Sequence, residues 1–111
     1  MASVIVDLSL AVICFAGSCH NAVLGKTTEP GMYPLNQRIV VDPIYKGDVL
    51  QFAETDTHWF GIHRVVNGRD VNGWSAKQRR FVSAGCINVS DEVYDELVIY
   101  VKANKPKLII R

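Results

Sequence analysis

Cys86 lies in Ser83-Ala84-Gly85-Cys86-Ile87, between the apolar pair Phe81-Val82 and a helix start near Ser90. A thiol on a glycine-containing turn can serve as a nucleophile. Glycine permits a tight turn and the close approach of another backbone, and successive N–H groups of such a turn can converge on one point, as an oxyanion hole requires. The bland alternative is a buried small hydrophobe, which free cysteines commonly are. His63, in Trp59-Phe60-Gly61-Ile62-His63, alternates with strand hydrophobics. It is either a satisfied core histidine or a base held rigidly on a strand. A Cys–His pair needs hydrogen-bond contact, and an imidazolium beside the thiol would lower its pKa. Residue types and spacing leave both readings open.

The other cysteines, Cys14 and Cys19, could pair in an oxidising compartment. On one regular strand, however, their spacing would put them on opposite faces, which argues against a bond. Cys14, Cys19 and His20 with His58, His63 or Cys86 could supply four zinc ligands. The sequence lacks a second tight Cys/His pair, so no metal and no cofactor is expected.

These residues need elements to position them. With 111 residues, 49% hydrophobic and 21% charged, the chain fits one domain over 1–111. Its 12 basic and 11 acidic residues, net +1, do not indicate a nucleic-acid partner. The apolar start lacks a preceding Lys or Arg and is interrupted by Asp7, which argues against an export signal. Its longest uncharged run is too short for a transmembrane segment. Val4, Val6, Leu8, Leu10 and Val12 repeat at period two, giving one strand or two meeting near Ser9. Residues 17–25 read as a loop, and Pro30-Gly31 and Lys46-Gly47-Asp48 as turns. Strands are expected at 39–41, 49–53, 58–66 and 108–110. Residues 67–80 form a long polar loop, of the kind often functional. A single helix is expected over 91–103, capped by Ser90, with Asp91 and Glu92 meeting its positive end. The fold class is mainly β with one helix.

Ser83-Ala84-Gly85-Cys86-Ile87-Asn88-Val89-Ser90 resembles the signature of the L,D-transpeptidase (YkuD-like) catalytic domain. That signature is a histidine, a spacer, then Ser/Thr-His-Gly-Cys, a hydrophobic residue, and Asn or Arg. His63 resembles the upstream histidine, and Thr28-Glu29-Pro30-Gly31-Met32-Tyr33 resembles the family's earlier Thr-Pro-x-Gly-x-Tyr/Phe segment. The resemblance runs over nearly the whole chain and implies a β-sandwich. It implies Cys86 as nucleophile, His63 as base, Gly85 in the oxyanion turn, and Ser83 and Ala84 as supports. Asn88 matches the Asn form of the motif.

The implied activity is attack of the Cys86 thiolate on the carbonyl between meso-diaminopimelate and the following D-alanine of peptidoglycan stem peptides. A thioester results and passes to an amine or to water, in the periplasm or cell wall. Arginine forks suit the carboxylates of such peptides, so Arg64, Arg79 and Arg80 are candidate binding residues, with Trp74 as a lid residue, Tyr33 as a lining residue and Asn88 as a further binding residue.

Ala84 stands where the family usually has a second histidine, and Arg64 where a small residue is common. The stretch before His63 is short and the one after it long. This pattern fits a compact phage-like or effector member, a peptidoglycan-cleaving toxin with an immunity or delivery protein as partner. A wall-binding domain without activity is the remaining alternative.

Overall fold

A computed structural model gives the fold and describes residues 2–66 and 68–111. Met1, the first residue of the apolar start, and Asn67, the first of the expected long loop, lie outside the described residues. The chain builds a β-sandwich. One sheet has the strand order 18–21, 12–15, 3–7, 107–110, 31–33 and the other 36–39, 48–54, 59–64, 87–89, by residue number.

The first sheet starts with β1 (Ser3–Asp7) and β2 (Val12–Phe15). Of the two readings of the period-two run, two strands is the outcome. The Asp7 carboxylate accepts from the Ser9 and Leu10 amides, both at 3.0 Å, and this turn ends the first strand. Val4, Val6, Ile13 and Phe15 face the core.

β3 (Ser18–Asn21) corrects the expected loop at 17–25. It pairs with β2 through a two-residue turn at Ala16 (φ 51°) and Gly17 (φ 82°). Two positive φ values suit the twist of a tight hairpin, but alanine is not a residue that announces one. The turn brings Cys14 opposite Cys19, with Cα atoms 4.0 Å apart, and they form a disulfide. The expectation from one unbroken strand fails because the chain reverses between them. Replacing both with serine is expected to cost about 2 kcal/mol, the chain-entropy value for so short a loop. An unchanged thermal midpoint would contradict that.

β4 (Gly31–Tyr33) and β9 (Lys107–Ile110) complete this sheet, with β9 parallel to β1. In the second sheet β5 covers Asn36–Ile39, so the strand expected at 39–41 lies earlier in the chain. Val41 is 97% exposed, just before a short 3₁₀ turn at Pro43–Tyr45. β6 (Asp48–Glu54) and β7 (Trp59–Arg64) pair antiparallel, and β8 (Ile87–Val89) runs parallel to β7.

A parallel neighbour needs a crossover, which residues 65–86 supply. Within it lies α1 (Ala76–Arg79), held by a capping box between Ser75 and Gln78. Two α-helices therefore occur among the described residues, not one. The other, α2 (Asp91–Asn104), begins as expected, with the Ser90 hydroxyl accepting from the Val93 amide at 3.2 Å. Its Tyr94, Leu97 and Val101 enter the core. Among the described residues no helix is long and apolar enough to cross a membrane.

Candidate functional site

The parallel pairing of β7 with β8 sets the site. Ile62 lies opposite Ile87 and His63 opposite Asn88, so Cys86, one residue before β8, sits beside Gly61. His63 is 2% exposed. Its Nδ1 lies 2.8 Å from the Arg64 carbonyl oxygen. A carbonyl only accepts, so Nδ1 carries the proton and Nε2 is left as the ring's acceptor. The Tyr45 ring meets the imidazole edge-on at 4.8 Å. Cys86 is a free thiol. His63, Ser83, Ala84, Gly85 and Cys86 line one cavity of about 340 Å³.

The 83–86 turn is held from behind by residues 23–28. Val23 bridges to Asn88 and Gly25 to Ser83. The Lys26 amide donates to the Ser83 carbonyl at 2.7 Å and the Thr27 amide to the Ala84 carbonyl at 3.0 Å. The Thr27 hydroxyl also donates to the Ala84 carbonyl, and the Thr28 hydroxyl to that of Gly85 at 3.3 Å. The Ser83 hydroxyl donates to the Cys86 carbonyl at 2.7 Å. All four carbonyls of the turn are thus engaged. Among the described residues the Gly85 and Cys86 amides donate to no internal acceptor.

Two glycines allow this approach. A Cβ on Gly25 would lie 2.4 Å from the Gly85 Cα, and one on Gly85 would lie 2.5 Å from the Phe60 ring.

Burial pushes the Cys86 thiol above its ordinary value, while a backbone hydrogen bond from Gly61 and the charge of Arg69 pull it partly back. Burial likewise holds His63 below its ordinary value; the Arg64 carbonyl opposes this and Arg69 reinforces it. Both shifts favour the neutral thiol and the neutral imidazole over their charged forms.

The candidate binding residues separate. Arg64 turns its guanidinium to Asp48 (3.0 Å) and Asp95 (3.2 Å), over the Tyr94 ring at 4.2 Å. Arg79 is buried and donates to the carbonyls of Trp74, Leu10 and Ala11, which ties the crossover to the β1–β2 turn. Arg80 lies over Phe81 and reaches the Ser9 carbonyl at 3.4 Å. Trp74 is half-buried beside α1, with its carbonyl taken by Arg79. Tyr33 donates to the Glu29 carbonyl at 2.9 Å and packs edge-on against Phe52. None of these five lines the Cys86 cavity. The three guanidiniums and the Tyr33 hydroxyl have carbonyl or carboxylate partners elsewhere in the fold.

Asn88 is fully buried, and its carboxamide oxygen accepts from Arg69 at 2.9 Å. Arg69 itself lines the cavity, as do Tyr45, Trp59 and Phe60. Spacing did not single out Arg69 among the loop's charges, nor Gly25 among the chain's glycines. Among the described residues no group of three or more His, Cys, Asp or Glu side chains could hold a metal ion.

No protein-family model matches the sequence, and no curated protein is significantly similar to it. Solved structures are similar in shape. The Ldtfm–avibactam carbamoyl enzyme superposes with a TM-score of 0.72 at 16% identity, over 99% of this chain and 48% of that one. An Enterococcus faecium L,D-transpeptidase carrying a Cys-to-Ser mutation gives 0.71 at 17% identity, over 99% and 49%. Bdellovibrio bacteriovorus Bd1075 gives 0.66 at 16% identity, over 99% and 47%. The chain spans about half the length of these proteins, and over that half it shares their β-sandwich fold, that of a solved L,D-transpeptidase among them.

Proposed function

We propose that this chain is a cysteine-dependent L,D-transpeptidase or L,D-carboxypeptidase of peptidoglycan stem peptides. The observation that carries the reading is a single cavity holding both a free thiol and an imidazole whose Nδ1 proton is fixed on the Arg64 carbonyl.

His63 Nε2 takes the thiol proton as Cys86 Sγ attacks the carbonyl between meso-diaminopimelate and D-alanine. The Arg64 carbonyl orients the ring and stabilises the imidazolium that forms. The Gly85 and Cys86 amides receive the oxyanion, each donor worth about 3–4 kcal/mol when lost. The imidazolium then protonates the departing amine. The thioester that remains passes to an amine acceptor or to water.

The Cys14–Cys19 disulfide suits an oxidising compartment, which supports action in the periplasm or cell wall. Mass spectrometry of muropeptides after incubation tests the proposal. New cross-links or D-amino-acid exchange mean transfer. Shortened peptides alone mean hydrolysis, as for a wall-cleaving toxin. Unchanged muropeptides would contradict both.

The pH dependence follows from the shifts. His63 is held below the ordinary imidazole value of about 6.5. It therefore stays neutral, and able to accept, through the neutral range. Protonation removes the base only as the pH falls below that value. The acid limb of kcat/KM is expected below about pH 6.5. Cys86 remains a protonated thiol up to pH values above its ordinary range, so the profile stays level until then. An acid limb above about pH 7 would contradict the neutral-base assignment.

A further inference from the structure

We infer that Arg69 is the specificity-determining residue of the Cys86 cavity, receiving a carboxylate of the ligand there, with Asn88 as the residue that holds it in place. The inference adds a ligand contact to the reading above and rests on it only for the identity of the peptide.

The placement comes from buried hydrogen bonding. The Asn88 amide and carbonyl are both tied to Val23, each at 2.8 Å, so the residue cannot shift along its strand. Its side chain is fully buried, and its oxygen accepts from Arg69 Nη1 at 2.9 Å. A buried amide oxygen deprived of its donor is costly, so this bond keeps Arg69 at the cavity wall.

The bond uses one of the five guanidinium N–H groups and leaves the fork short of acceptors. Among the described residues no carboxylate is within ion-pair distance of Arg69. Of the three carboxylates that share a neighbouring groove with Arg69, Asp91 is paired with Lys46 at 2.5 Å, Asp70 accepts from the Gly73 amide at 2.7 Å, and Glu92, like them, is not within ion-pair distance of Arg69. Arg64, by contrast, has two carboxylate partners.

The cavity that Arg69 faces carries an aromatic wall of Tyr45, Trp59 and Phe60. One cation opposite an aromatic surface suits a ligand with an apolar stretch and a carboxylate beside the reacting carbonyl. A planar fork receives a carboxylate better than an ammonium does.

Alkylation of Cys86 tests this without any turnover. The other two cysteines are joined as a disulfide, so Cys86 is the thiol that reacts. Iodoacetate and iodoacetamide both form an S–CH₂ bond with loss of iodide, and both need the same thiolate. The ratio of their rates therefore cancels any change in thiol pKa and reports attraction of the carboxylate. In the native protein the iodoacetate-to-iodoacetamide ratio is expected to exceed that of a small neutral thiol. In Arg69→Gln it should fall about 10-fold. Arg69→Lys should keep part of the preference.

Should Arg69→Gln fail to fold, the native ratio at rising salt gives the same answer, because a partly exposed cation is screened. A second arm uses stem peptides whose carboxylates are singly amidated. One of them should lose about 10-fold in kcat/KM with the native protein and nothing further with Arg69→Gln. Loss of turnover with the reagent preference intact would sink the peptidoglycan reading and leave Arg69 standing. A ratio equal in native protein and Arg69→Gln, or insensitive to salt, would overturn the inference.

Discussion

Cys86→Ala is expected to lower turnover of stem peptides by at least about 10³-fold while leaving the fold intact. The free thiol is half-buried and makes no disulfide, so its loss removes one sulfur from a partly open site rather than from the sealed core. His63→Ala is expected to cost nearly as much. Adding it to Cys86→Ala should cost almost nothing more, because nucleophile and base act as a unit. Steady-state rates of the two single variants and the double variant measure this, and multiplicative losses would sink the pairing. A wall-binding domain with this fold would instead keep its affinity for peptidoglycan in Cys86→Ala and show no turnover in the native protein.

The second large effect concerns a residue outside the cavity. Gly25→Ala places a Cβ 2.4 Å from the Gly85 Cα, 2.6 Å from its nitrogen and 2.8 Å from its carbonyl carbon. All three are backbone atoms, so no side chain can swing aside. The 23–28 segment and the 83–86 turn must part, which breaks their mutual hydrogen bonds.

Overpacking of this kind costs about 1–3 kcal/mol. Displacing catalytic groups by about 1 Å costs on the order of 10²-fold in rate. Gly25→Ala should therefore lower the thermal midpoint and reduce kcat about 100-fold in the fraction that folds. Gly47→Ala is the control. Its Cβ meets nothing within 4 Å, although its φ of 111° adds strain. It should lower stability with little change in kcat. Equal kcat losses in the two variants would show that Gly25 matters only for stability.

The legible parts of this chain are those where one local signal governs. Ser90, Asp91 and Glu92 mark the start of α2, and Pro106 follows its end, because caps and dipole charges act within a turn. The alternation around Val4 and His63 marks β1 and β7 for the same reason. The β2–β3 hairpin was hidden because its turn uses Ala16 where asparagine or glycine would be usual. That one omission also concealed the disulfide.

The arginines show a different limit. Arg64, Arg79, Arg80 and Arg69 are equivalent in composition. Only the fold shows that the first meets Asp48 and Asp95, that the next two reach buried or turn carbonyls, and that Arg69 reaches Asn88. Gly25 is similar, since its contact with Gly85 spans most of the chain and leaves no mark in local sequence.

Intact-mass measurement of the protein after incubation with purified disaccharide-tetrapeptide decides whether Cys86 is the nucleophile. A thioester adduct equal to the donor minus D-alanine is expected. It should map to Cys86, be released by hydroxylamine and be absent from Cys86→Ala. Unmodified protein at every time point with unchanged muropeptides, or an adduct that persists in Cys86→Ala, would contradict that role.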